Sequence, residues 1–256
     1  MLSLRKLLFE SNRSIEPEFR WRGREVSRLE GLSDAVLGFA LTLLVVSLEV
    51  PDTAAELIEV MRGFVGFALT SSVIFSIWQW QWSYFRRYGL EDDVVLWLNA
   101  ALLFVVLFFT YPLKFLFSKL TASLFSGQDQ LEAAIPSEHF AWFWLAYVAG
   151  FVAVYLVFAL LYLHAYRHRA ELELTPYELF ETRESMRKSL DVAALGASLS
   201  PMLLLLVWKE SLRGGVGNAL VVTCILIGGI GALWSTSDYY RSGARRKAFR
   251  AAAAPR

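Results

Sequence analysis

Long apolar runs separated by short polar segments set the elements of this chain before any single residue is considered. A helix needs about 18 residues or more with few charges to cross a hydrocarbon core of roughly 30 Å. Six stretches satisfy this: Ser33–Val50, Gly63–Phe85, Val94–Phe117, His139–Leu163, Asp191–Trp208 and Gly215–Thr236. Pro51 closes the first. The fifth is interrupted at Ser200-Pro201, where a proline removes a backbone donor and kinks a helix unless neighbours satisfy the freed carbonyl. The two polar segments of any length, Met1–Leu32 and His164–Lys188, also read as helical and are expected to lie along the inner membrane surface. The pattern predicts an all-α integral membrane protein: a basic N-terminal segment (1–32), a six-helix membrane domain (33–236) and a basic tail (237–256).

Composition supports that class. The 256 residues are 56% hydrophobic, 15% aromatic and only 19% charged, with a mean hydropathy of +0.44. Such values argue against disorder and against a soluble enzyme. A net charge of +1 gives no global attraction to nucleic acid, but the charge is unevenly placed. With the N-terminus inside, 20 of the 25 lysines and arginines fall on inner segments, leaving Arg62, Lys114, Lys119, Lys209 and Arg213 outside. The positive-inside rule then places both termini in the cytoplasm of a multi-pass protein of the inner (plasma) membrane. After Arg5 and Lys6 only Leu7-Leu8-Phe9 precede Glu10, too short for a signal-peptide core, so the first span is expected to be an uncleaved signal anchor. The single cysteine, Cys224, excludes an internal disulfide and a cysteine-based metal site. The cluster Arg245–Arg250 either binds anionic lipid or is a solvated tail that fixes topology.

The span middles lack Asp, Glu, Lys, Arg and His; Asp34, Glu49, Asp191 and Asp238 sit at span ends. That argues against a proton-coupled transporter, which needs a titratable midplane group, and against a membrane hydrolase or metalloenzyme. His164 and His168 are four apart on one helix face, with Glu171 and Glu173 near in sequence. Without a converging third ligand the pair reads as part of an interfacial belt with Tyr162, Tyr166, Arg167 and Arg169, so neither a metal site nor a cofactor is predicted. The remaining polar residues share one depth. Counted at 1.5 Å per residue, Trp78, Gln81 and Asn99 lie within about 12 Å of the inner edge, level with Arg28, Ser33 and Asp34. They either clamp the first three spans together or bond within their own helices and to headgroup water.

On the first span, Ala35, Phe39, Thr42, Leu43 and Val46 fall within a stripe about 100° wide. Thr42 is its only polar member. Its hydroxyl either bonds the Gly38 carbonyl or, in four copies around an axis, forms a ring beside apolar rings.

The sequence Arg28-Leu29-Glu30-Gly31-Leu32-Ser33-Asp34, followed by Thr42-Leu43-Leu44 and Pro51, resembles the bacterial branch of the transmembrane protein 175 potassium channels. The family hallmark is an arginine, three residues, then Phe-Ser-Asp. Further landmarks are Trp78 and Phe85, Leu98-Asn99, and Tyr111-Pro112, so the likeness covers roughly 28–119. Leu32 stands where the motif has Phe, Phe39 where Ile or Leu is usual, and Gln81-Trp82 where a His pair is common. The resemblance implies a six-helix, single-repeat protomer assembled as a homotetramer, with its pore lined by the first helix and no re-entrant selectivity loop. It implies a constriction at Phe39, Leu43 and Val46, cation preference at Thr42, and a structural motif of Arg28, Leu32, Ser33, Asp34, Trp78, Gln81 and Asn99. The expected function is a potassium-permeable channel, with potassium as permeant, and its own copies and membrane lipid as partners. The alternatives are a secondary transporter, recognised by saturable gradient-coupled uptake, and a non-conducting membrane protein that keeps the channel fold.

Overall fold

The structure, a computed structural model, describes residues 19–23, 25–46, 52–126 and 137–211. They form helices α1 (Arg28–Val46), α2 (Ala54–Arg62), α3 (Phe64–Tyr88), α4 (Asp93–Ser126), α5 (Ser137–Arg167) and α6 (Pro176–Ser211), and no strand occurs among the described residues. The sixth predicted span, Cys224, the Arg245–Arg250 cluster, the N-terminal leader and the tail lie outside the described residues, as do the side chains of Val46, Ser200 and Pro201.

These six helices are not the six predicted spans one for one. Helices α1, α3, α4 and α5 correspond to the first four, while α2 is a nine-residue helix in the connection after the first. By length and composition, Asp93–Lys119 in α4 and Trp142–Arg167 in α5 are the described segments long and apolar enough to cross a membrane.

The segment His164–Lys188, expected to be helical along the inner surface, divides between the end of α5 and the start of α6. Helix α5 runs on to Arg167, a turn follows at 168–173, and α6 then continues for 36 residues through the fifth span and through Pro201. At 1.5 Å per residue it is about 54 Å long. Its start is a capping box: Thr175 Oγ1 accepts the Glu178 N–H at 3.3 Å while Glu178 Oε2 accepts the Thr175 N–H at 2.9 Å. Pro176, in the first helical position, gives up no hydrogen bond there. Between Tyr177 and Ser200 no Pro breaks the run, so the charged residues lengthen the helix ahead of the fifth span. Arg183 meets the Tyr166 hydroxyl, and a Cβ on Gly196 would touch the Phe151 ring at 2.9 Å, so α5 and α6 pack antiparallel.

The core lies between α1, α3, α4 and α5. Helix α1 buries Glu30, Ser33, Leu37, Ala40 and Leu44, a 3-4-3-4 spacing that keeps one stripe against its neighbours. Opposite it stand Ile74, Ile77, Gln81, Tyr84 and Tyr88 of α3, Val95, Asn99, Leu102 and Val106 of α4, and Phe158 and Leu161 of α5. The start of α1, the end of α3, the start of α4, the end of α5 and the start of α6 converge on one end of the bundle. There Tyr84 donates to the Leu161 carbonyl at 3.1 Å, and the Tyr88 and Thr182 hydroxyls lie 2.8 Å apart. At the other end Lys114 donates to the Leu44 carbonyl at 3.3 Å, where α1 runs out of its own donors.

The segment before α1 crosses the end of α3. The Arg22 and Gly23 N–H groups both donate to the Arg86 carbonyl, at 3.1 and 3.2 Å, satisfying an acceptor the helix leaves open. Gly89 terminates α3 at φ 61°, and a Cβ there would lie 2.9 Å from the Gly23 nitrogen. A Cβ on Gly23 would in turn lie 2.5 Å from the Phe85 oxygen. Both glycines are required by backbone-to-backbone contact.

Candidate functional site

Three helices are tied by one buried chain of side chains. Asn99 Nδ2 on α4 donates to Ser33 Oγ on α1 at 2.8 Å, and Ser33 Oγ donates to its own Leu29 carbonyl at 2.8 Å. Gln81 Nε2 on α3 donates to Asn99 Oδ1. All three side chains are nearly inaccessible. Asp34, the next residue, faces outward and accepts the Trp78 indole N–H at 2.7 Å. Ser33, Gln81 and Asn99 thus form one group, and Asp34 with Trp78 a second beside it.

Arg28 stands apart. Five residues before Ser33, it is turned about 140° away on the helix and is exposed. The arginine that enters the bundle is Arg86, which pairs with buried Glu30 at 3.0 Å and donates to the Gly23 carbonyl at 3.1 Å. Burial pushes the Glu30 carboxyl above its usual range, more than Arg86 and the Ser27 contacts pull it down. Sequence reasoning passed over Glu30, although its place three residues before Ser33 puts it on the same stripe.

The network makes unequal demands on its members. Asn99→Ala removes the acceptor of Gln81 Nε2 and the amide that Ser33 Oγ accepts from, leaving Ser33 its bond to the Leu29 carbonyl, at a cost of about 1–3 kcal/mol. Thermal unfolding in detergent is therefore expected at a clearly lower midpoint for Asn99→Ala. Thr42→Ala, which removes only a bond within its own helix turn, should change stability by less than about 0.5 kcal/mol.

On the side of α1 opposite its buried stripe, Arg28, Ala35, Phe39 and Thr42 lie within about 40° of one direction, and all are exposed. Phe39 is 61% exposed although aromatic. Thr42 Oγ1 donates to the Gly38 carbonyl at 2.8 Å and also lies 3.1 Å from the Phe39 carbonyl. Leu32, 56% exposed, flanks this face at its start. Leu43 is about 80° round and half-buried, so it borders the stripe instead of leading it. Alongside, Asp34, Leu37, Gly38, Leu41, Ile74, Phe75 and Trp78 line a groove of about 280 Å³ between α1 and α3.

Behind the start of α6, Glu178 gathers the N-terminal segment. Its carboxylate accepts from the Arg20 N–H at 2.8 Å and from Arg22 Nη1 and Nη2 at 3.2 and 2.8 Å, in addition to the Thr175 cap. Arg22 Nε donates to the Leu172 carbonyl at 2.8 Å. Burial would raise the Glu178 carboxyl, but the Arg22 hydrogen bonds, the Thr175 and Arg20 N–H groups and the Arg22 charge outweigh it and hold it below its usual range. Neither residue was singled out from the sequence, where Arg22 is one of several basic residues ahead of the first span.

The family described as "Endosomal/lysosomal potassium channel TMEM175" matches residues 28–109, which hold α1, α3 and the first half of α4, the helices joined by the Ser33–Asn99–Gln81 chain. A potassium channel from Marivirga tractuosa is 36% identical over 186 residues, 70% of this chain and 75% of that protein. A crystal structure of the potassium channel MtTMEM175, a threonine-to-alanine variant in complex with a nanobody–MBP fusion protein, superposes with a TM-score of 0.67. It is 31% identical and the match covers 84% of this chain and 96% of that one. This all-helical membrane chain, with its first, third and fourth helices joined by buried side chains, belongs to the TMEM175 family of potassium channels.

Proposed function

We propose that four copies of this chain assemble around α1 into a potassium-permeable pore with no re-entrant selectivity loop. The observation that carries the reading is the outward face of α1, where Phe39 and Thr42 stand opposite the stripe that packs on α3 and α4. Four Phe39 rings around an axis make a narrow apolar collar that opposes wetting, the physical basis of a hydrophobic gate, with Leu43 and Val46 continuing it outward. Thr42 supplies the polar layer. Because its hydroxyl proton is directed to the Gly38 carbonyl, the oxygen lone pairs are free to face a cation and replace part of its water shell.

Orientation in the membrane follows from charge. Arg22, Arg86, Arg87, Arg167, Arg169 and Arg183 all sit at the end where α3 stops and α4 starts, supporting a cytoplasmic placement of that end and of both termini in the inner membrane. The six-span arrangement adds the Gly215–Thr236 segment.

Flux measured in liposomes tests the reading. Purified protein under an outward potassium gradient should pass potassium faster than empty vesicles, without saturation and without a coupled ion. No flux from wild type or from Phe39→Ala overturns the pore, and saturable gradient-driven uptake replaces it with transport. Thr42→Ala should keep conduction but lower the potassium-to-sodium permeability ratio by roughly fivefold, the change that about 1 kcal/mol of lost coordination produces.

A further inference from the structure

At the end of the bundle that holds the Arg22–Glu178 contact lies a side-chain cluster away from the outward face of α1. Asp92 in the α3–α4 connection, His164 in the last turn of α5 and His168 in the following turn each offer one ligand atom, and these atoms lie within 4.8 Å of one another. His164 Nε2 is 2.7 Å from Asp92 Oδ2, the two imidazole rings are 4.5 Å apart, and His168 Nδ1 is 2.8 Å from Glu171 Oε2. The His164–His168 spacing lacked a third ligand in the sequence; Asp92, 72 residues away along the chain, supplies it. We propose that Asp92, His164 and His168 bind a divalent transition cation of the zinc class, with Glu171 or water completing a tetrahedral shell.

The chemistry selects the ion. Two imidazoles and one carboxylate suit zinc and its borderline neighbours, whereas magnesium and calcium take oxygen ligands. The carboxylate is held ready by the fold. Asp92 Oδ1 caps α4, accepting the Val94 and Val95 N–H groups at 2.9 and 3.1 Å, which leaves Oδ2 aimed at His164. Zinc bonds of about 2.0–2.1 Å in a tetrahedron place ligand atoms roughly 3.3 Å apart. The Asp92–His164 pair must open slightly and His168 must swing in, and side-chain rotation of two partly exposed histidines at a helix end supplies that movement. The C-terminal end of α5 also favours a cation. Of the nearby arginines, Arg169 is occupied over the Tyr166 ring at 5.0 Å.

Occupancy ties the start of α4 to the end of α5 and is independent of whether the pore conducts. The test uses the full chain in detergent with any polyhistidine tag removed, titrated with zinc alone against a fluorescent chelator. One zinc per chain is expected, with no competition from magnesium, and His168→Gln should weaken binding at least tenfold. His168→Gln leaves the His164–Asp92 contact in place, so its melting midpoint without zinc should match wild type. Absence of zinc uptake by wild type, or equal uptake by His168→Gln, overturns the site. X-ray absorption at the zinc edge of the wild-type protein gives a reading independent of any variant. Nitrogen and oxygen neighbours support the proposal; a sulfur neighbour, which only Cys224 or a methionine could give, overturns it.

Discussion

Glu178→Ala is expected to lose about 3–5 kcal/mol of folding stability, the cost of removing one partner of a buried ion pair. The Arg22 side chain is only 10% exposed and that of Glu178 1%, so the substitution leaves a guanidinium charge in a dry site with backbone carbonyls and the Phe19 ring, but no carboxylate, to receive it. It also strips α6 of its capping box and the Arg20 and Thr175 N–H groups of their acceptor. Glu178→Gln keeps the shape and part of the cap and should lose less. Thermal unfolding in detergent reads the difference. Its pH dependence has a fixed sign: the folded carboxyl lies below its ordinary value of 4.5, so the stabilisation is complete above that value and declines as the pH falls through the folded one. The gap between wild type and Glu178→Gln should therefore narrow as the solution is acidified below about 4.5. An alanine variant as stable as wild type at neutral pH would mean that the pair contributes nothing.

Phe39→Ala has the opposite character, a large effect on flux with little on folding. Within one protomer the ring is mostly exposed and is absent from the packed core, so its loss leaves no cavity there. In the proposed four-fold assembly four rings would leave at once and the collar would become wide enough to stay wet. Potassium flux should rise by tenfold or more, equivalent to removing about 1.4 kcal/mol from the barrier. Thermal stability should stay near wild type. Leu37→Ala, on the buried stripe of the same helix, is the control, since it should destabilise without opening anything. Unchanged flux in Phe39→Ala would move the constriction away from this residue.

The sequence made some of this legible for a physical reason. The buried stripe of α1 and its outward face follow from helical periodicity alone, and a rise of 1.5 Å per residue brings Ser33, Gln81 and Asn99 to one level. What escaped were the charged contacts at the end where the helices converge. Basic residues beside a span read as interfacial by default. Which of Arg22, Arg28 and Arg86 turns inward depends on two glycines, Gly23 and Gly89, that let the N-terminal segment lie across the end of α3. That approach has no period to betray it. Asp92 was hidden in the same way, as a helix cap whose second oxygen faces a helix 72 residues further on. The polar run reads as helical from its composition, but its continuity with the fifth span rests on the good helix formers after Thr175-Pro176, which carry one helix from the polar run into the apolar one.

The Arg22–Glu178 contact also sets a clock on synthesis. The two residues are separated by 156 positions, and a ribosome adding about 5–20 residues per second needs roughly 8–30 s to cover that distance. During this interval the four long helices α1, α3, α4 and α5 are synthesised while the arginine waits without its carboxylate. The contact that fastens the N-terminal segment can therefore form only after the start of α6 has been made, later than any contact among the helices before it.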